Sequence, residues 1–312
     1  MVTSRFSSVL TLALLVILIS QLGCRAISRI GESRQSIAAR RMSRQGLQAM
    51  HNGDWTNAEN LFSDALELSS SDDRAHRGLA ESFWQREQPE PAIKHMENAV
   101  RLSGNDPKLV QRLGRMYFDV GRVEEANQQS LVALEADRYS AEVWALRGDC
   151  LRSQSNNVQA LAAYHRALAL QPDFPDVQMQ AAEIYRVQGR YDRLLATLDR
   201  LQEGLGGIEI PPRVDMLRGI AMRQLGQHDE ARRCFASAAT RDPSNAEAHL
   251  QIAALCLDAG DIQSARESVD VAMKIDPIAV RDGRWIEQLE NQPQHVAGHI
   301  QPASSITEIQ RR

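Results

Sequence analysis

His295 and His299 stand four residues apart, a spacing that puts two imidazoles on one face of a helix and suits a metal ion. No third ligand is close to them in the chain, so no metal site is expected. Cys150, Cys234 and Cys256 form no Cys-x-x-Cys pair. As free thiols they would pack as small hydrophobes. A bridge between Cys234 and Cys256, on helices that should be neighbours, is the alternative in an oxidising compartment. The chain has no glycine-rich phosphate loop, nucleophile elbow or zinc-protease helix motif. Catalytic residues, cofactors and a small-molecule substrate are therefore not expected, and the chain does not read as an enzyme. A net charge of -4 and a pI near 6.1 argue against nucleic acid, whose binders are usually basic over the whole domain. What remains is recognition chemistry, carried by arginine with tryptophan and phenylalanine, side chains typical of binding hot spots.

The elements that would position them follow a strict period. Alanine recurs every 34 residues at Ala58, Ala92, Ala126 and Ala160, and again at Ala65, Ala99, Ala133 and Ala167. Both columns return as Ala231 with Ala238 and Ala265 with Ala272. Such a period marks stacked helix-turn-helix repeats. Seven units begin near Ala39, Asp73, Pro107, Ala141, Pro175, Pro212 and Ala246. Each reads as helix A, a turn often holding glycine, and helix B. Small residues at Gly46, Ala80, Gly114 and Gly148 let the helices approach closely. Phe62, Met96 or Tyr164 on helix B fills the space beside them, while Ser130 departs from this rule. Repeat five carries Leu194 and Leu201 in the alanine columns, and repeat six starts three residues late after a Gly- and Pro-rich stretch. A seam between repeats five and six is expected.

This pattern resembles the tetratricopeptide repeat. The fourth repeat matches its positions well through Trp144, Gly148, Leu151, Ala160, Tyr164, Ala167 and Pro172. The resemblance implies an all-α, right-handed superhelical solenoid of about seven repeats with a C-terminal capping helix. It also implies a concave groove lined by the A helices. Carried over position by position, the groove would hold Met50, Trp84, Phe118, Arg152, Arg186 and Arg223, with Arg74, Arg77, Lys108 and Arg115 beside them. Two readings stand for the arginine row. It pairs with Asp149, Glu183 and other nearby carboxylates, or it grips an acidic protein segment while Trp84 and Phe118 anchor apolar side chains. A clamp for a C-terminal carboxylate is disfavoured, because no repeat has asparagine at the inner positions that such clamps use.

At the N-terminus, Arg5 precedes an apolar run from Val9 to Ile19 that ends in Gln21-Leu22-Gly23-Cys24. The run suits a signal-peptide core and is short for a membrane span. A small residue followed by cysteine resembles a bacterial lipoprotein signal, in which Cys24 would be lipidated. An uncleaved anchor and an ordinary cleaved signal are the alternatives. Six arginines from Arg25 to Arg44 face only Glu32, as a solvated linker or as a contact for anionic headgroups.

The expected organisation is a signal or anchor over 1–24, a basic linker over 25–38, a solenoid over 39–279, a capping helix over 280–291 and a disordered polar tail over 292–312. The expected function is a membrane-tethered protein-binding scaffold in a bacterial envelope, with its repeats on the periplasmic side. An accessory or targeting subunit of an envelope enzyme or of a secretion or assembly complex is the alternative.

Overall fold

The structure, a computed structural model, describes residues 34–206 and 209–290. Among these residues every regular element is a helix. Two compact units divide the chain after Pro172. The first holds α1 (34–51), α2 (Trp55–Leu68), α3 (Asp73–Gln85), α4 (Pro89–Leu102), α5 (Pro107–Asp119), α6 (Val123–Ala136), α7 (Ala141–Ser153) and α8 (Asn157–Leu170). The second holds α9 (Pro175–Val187), α10 (Tyr191–Gly204), α11 (Pro212–Gln224), α12 (His228–Arg241), α13 (Ala246–Asp258), α14 (Ile262–Ile275), α15 (Pro277–Asp282) and α16 (Trp285–Glu290). The all-α class built of repeated helix pairs is as the period requires. Odd-numbered helices from α1 to α13 are the A helices and their successors the B helices.

Short polar side chains start the helices. Asp72 accepts from the backbone N–H groups of Arg74 and Ala75, and Asp106 from those of Lys108 and Leu109. Each satisfies donors that a helix N-terminus otherwise leaves open. The turn between A and B needs one left-handed residue. Five repeats place glycine there, as at Gly121 with φ 80°. Repeats two and four force Glu87 and Ser155 into the same conformation, at φ 57° and 62°.

Packing explains the alanine columns and the small A-helix positions. Ala58, Ala92, Ala126, Ala160 and their partners seven residues on are all 0% exposed. A methyl added to Gly148 would lie 2.3 Å from the Tyr164 ring, and one on Gly46 would lie 2.6 Å from Phe62. The glycines thus hold the space into which the B-helix aromatic ring lies. Repeat three has no ring there. Ser130 is buried and donates to the Asn127 carbonyl at 2.7 Å. Leu146 of repeat four fills the space instead, 2.8 Å from where a Gly114 methyl would stand.

Several boundaries differ from expectation. Residues 34–38 are the opening turns of α1 rather than linker, because the helix continues through Arg34 with no breaker before Ala39. The expected capping helix is two short ones, α15 and α16, separated at Gly283 and Arg284, the latter with φ 51°. Val280 and Leu289 are its buried residues, whereas Ile286 is 49% exposed. The division of the chain falls between repeats four and five, one repeat before the expected seam. Leu194 and Leu201 are buried, α10 packs on α11, and Arg241 donates to the Ile210 carbonyl within the late-starting connection. The three cysteines among the described residues are free thiols. Cys24, His295, His299, the apolar run and the polar tail lie outside the described residues.

Candidate functional site

In the first unit, α3, α5 and α7 carry a ladder of charge across their inner positions. Glu81 on α3 accepts both Nε and Nη2 of Arg112 on α5, at 2.8 and 2.7 Å. That fork geometry is the strong form of the arginine–carboxylate contact. The hydrogen bonds that Arg112 donates to Glu81 outweigh burial and raise its pKa. One turn along α5, Arg115 donates to Asp149 Oδ2 on α7 at 3.0 Å. The other Asp149 oxygen accepts the Tyr164 hydroxyl of α8 at 2.8 Å. Burial first, then the adjacent Asp149 charge, pushes the tyrosine pKa far up, so it remains a neutral donor.

The aromatic residues assigned to the groove sit under these guanidinium groups. Arg112 Cζ is 5.5 Å from the Trp84 ring centroid, and Arg115 Cζ is 5.5 Å from that of Phe118. Both distances suit cation–π attraction. Both rings are half-buried against the core of repeats two to four. Met50 packs likewise on the core of the first repeats. Arg74, Arg77, Lys108 and Arg152 are exposed, and none forms an ion pair among the described residues. Arg152 is not bound to Asp149, whose oxygens are occupied by Arg115 and Tyr164. It lies instead against the Tyr164 hydroxyl.

The second unit resolves the other two arginines of the row differently. Arg186 pairs with Glu183 at 2.9 Å along its own helix. Glu183 also accepts Arg213 of α11 at 2.7 Å, and Arg213 reaches on to Glu247 of α13 at 3.2 Å. Burial would raise the Glu183 pKa, but the bonds from Arg186 and Arg213 outweigh it and hold the carboxyl ionised. Arg223 pairs with Asp258 of the following repeat at 2.9 Å and donates to Gln251 at 3.3 Å. Arg115, Arg186 and Arg223 are thus committed to partners within the fold, whereas Arg74, Arg77, Lys108 and Arg152 of the first unit are exposed without ion-pair partners among the described residues.

The sequence reading assigns no role in the ladder to Arg112, Arg213 or the Tyr164 hydroxyl. The available signal was complementary charge about one repeat apart, as in Glu81 with Arg112 and Arg115 with Asp149. It also passed over a histidine pair. His76 and His95 approach Nδ1 to Nδ1 at 3.0 Å, and His76 Nε2 lies 3.3 Å from the Ser70 carbonyl. Among the described residues no three ligand-type side chains gather as a metal site would need.

Known proteins resemble this chain over most of its length. A family profile described as "Tetratricopeptide repeat-like domain" matches residues 4–180, and one described as "Tetratricopeptide repeat" matches residues 222–278. Cellulose synthase operon protein C of Pseudomonas fluorescens (strain SBW25) is 25% identical over 251 residues, covering 75% of this chain and 19% of that protein. The chain spans 11% to 19% of the length of the first curated relatives it matches. The solved structure of Pseudomonas aeruginosa pilF superposes with a TM-score of 0.61 at 20% identity, covering 72% of this chain and 99% of that one. PilW, described as a widely conserved type IV pilus biogenesis factor, gives 0.57 at 18% identity over 66% of this chain and 94% of its own. At these identities the structural likeness concerns the fold.

Proposed function

Because the chain belongs to the tetratricopeptide repeat-like family, we propose that it is a non-catalytic scaffold that binds a protein segment on its inner A-helix face and is held at a membrane by its N-terminus. The observation that carries the binding reading is that Trp84 and Phe118 are only half-buried, in a unit that also carries exposed Arg74, Arg77, Lys108 and Arg152, cations without carboxylate partners among the described residues. An acidic segment with apolar side chains complements that face: carboxylates meet the exposed cations and apolar groups reach the ring edges. The pilus biogenesis role stated for PilW favours an assembly role over an accessory role beside an enzyme.

The tether reading rests on the apolar run Val9–Ile19 and on Cys24. The proposed place is a bacterial envelope, with the repeats on the periplasmic side and Cys24 lipidated. No helix among the described residues is long and apolar enough to cross a membrane.

Crosslinked pull-down from native membranes tests the binding face, comparing wild type with a folded Arg77→Glu, Trp84→Ala, Arg152→Glu variant. A partner lost only by the variant supports the face. Equal capture by both proteins moves binding elsewhere. Co-purification of a transferase or protease would restore the accessory-subunit reading. Metabolic lipid labelling that persists in Cys24→Ala would overturn lipidation at Cys24.

A further inference from the structure

The A helices α3 and α5 each turn one face to the preceding repeat, and that face is apolar or small. In α3 it consists of Ala75, Leu79 and Ser82, all buried, the first two in one core with Phe62 of repeat one. In α5 it consists of Leu109, Leu113 and Met116, in one core with Ile93 and Met96. The same positions of α1 are Arg41, Gln45 and Gln48, all exposed. Helical periodicity adds Arg34, Ile37 and Arg44 to that stripe. Ile37 is 62% exposed at its centre.

A polar end face is what a solenoid terminus needs for solubility. The composition of this one goes further. Residues 34–51 contain four arginines and no aspartate or glutamate. None of the four forms an ion pair among the described residues. The last described helices, α15 and α16, by contrast carry both signs, with Asp282, Glu287 and Glu290 among the same residues as Arg281 and Arg284. The single-sign face is also the one nearest in sequence to the apolar run. Only 14 residues lie between Ile19 and Arg34, a reach of at most about 50 Å when fully extended.

We infer that this face of α1 seats on an anionic phospholipid surface, with Arg34, Arg41 and Arg44 on headgroup phosphates and Ile37 against the acyl boundary between them. Attraction of arginine to such a surface acts within about a Debye length, roughly 10 Å, so the face must lie on the bilayer rather than near it. The consequence is orientation: the repeat array leaves the membrane at a set angle instead of swinging on a linker. The inference relies on the tether reading for its proximity to a bilayer.

Arginine-specific modification read by mass spectrometry tests it on the full chain. The chain is reconstituted in vesicles of phosphatidylcholine alone, in vesicles containing phosphatidylglycerol, and in zwitterionic detergent micelles, with exposed Arg266 as internal standard. The expected result is slower modification of Arg34, Arg41 and Arg44 with phosphatidylglycerol only, by about fivefold per residue and reversed by high salt. Equal rates in both vesicle types overturn the inference. Protection already present in micelles also overturns it, because protein then covers the face, either a second copy or another part of the chain. Flotation separates this from the tether. A chain that floats with phosphatidylglycerol vesicles alone, its arginines protected, loses the tether reading and keeps the α1 face. A double variant, Arg41→Gln with Arg44→Gln, should then lower that flotation by roughly thirtyfold, and unchanged flotation would contradict the assignment.

Discussion

Replacing Asp149 with alanine strands a buried hydroxyl. The Tyr164 side chain is 0% exposed, and its proton is donated to Asp149 Oδ1 at 2.8 Å. Arg152 lies against the same hydroxyl but, having donors only, cannot accept that proton. Leaving it unsatisfied costs about 1–3 kcal/mol. The Arg115 pair is lost as well. Its side chains are 38% and 15% exposed, so solvent screening limits that part to about 0.5 kcal/mol. Asp149→Ala should therefore destabilise the first unit by about 1.5–3.5 kcal/mol. Tyr164→Phe removes the hydroxyl together with its requirement, and should cost only about 1 kcal/mol. The double variant contains no stranded group, so its loss should fall short of the sum by about 1–2 kcal/mol. Urea titrations of the four proteins, followed by far-UV circular dichroism and by tryptophan fluorescence, measure the cycle. Two probes are needed because a repeat array can unfold in stages. Additive losses, with a coupling below about 0.5 kcal/mol, would refute the assigned hydroxyl–carboxylate contact.

Other outcomes follow from single positions. Ser155→Gly and Glu87→Gly relieve left-handed backbone at φ 62° and 57°, and each should raise the unfolding midpoint by the equivalent of about 0.5–1 kcal/mol; a lowered midpoint would show that the side chains contribute more than the strain. Gly148→Ala drives a methyl into the Tyr164 ring and should destabilise by about 1–3 kcal/mol, against near neutrality if the ring can move aside. Burial is the main cause lowering the pKa of both His76 and His95 below 6.5, so the folded state binds fewer protons than the unfolded chain near that value. The associated stability is fully present above pH 6.5 and is lost as pH falls through the depressed folded values; a denaturation series over roughly pH 5 to 8 should show this in wild type and less of it in His95→Gln. Cys150 is fully buried, and burial pushes its thiol up to about 11, so thiol reagents should label the half-buried Cys234 well before it.

The alanine columns and the glycines of the A helices were legible because they answer a local steric rule, one ring or methyl against one crossing helix. The same period assigns Trp84 and Phe118 equivalent positions in successive repeats, and each ring lies under a guanidinium group of α5. The charge ladder was less legible. Arg112 reaches Glu81 across 31 residues and Arg115 reaches Asp149 across 34, and only the packed distance between A helices decides which carboxylate each can reach. Arg152 illustrates the failure. Its carboxylate three residues earlier looked available, but that group was already held from two other helices. The histidine pair was invisible because His76 and His95 meet between two helices at a spacing that no single-helix period produces. The break in the cap at Arg284 lacked a signal too, as arginine has no preference for the left-handed region.

The rungs between A helices also make the repeats non-interchangeable. Excising one internal repeat from an idealised array would merely shorten it. Here, removing residues 107–140 would bring repeat four against repeat two, so that Glu81 lost its fork to Arg112 and met Leu146 at the equivalent position. Asp149 would lose Arg115 and face Glu81 instead, carboxylate against carboxylate. Unequal recombination at the 34-residue period is thus penalised by electrostatics although the hydrophobic pattern would tolerate it. Loops and termini, rather than whole repeats, are where such a chain can change length.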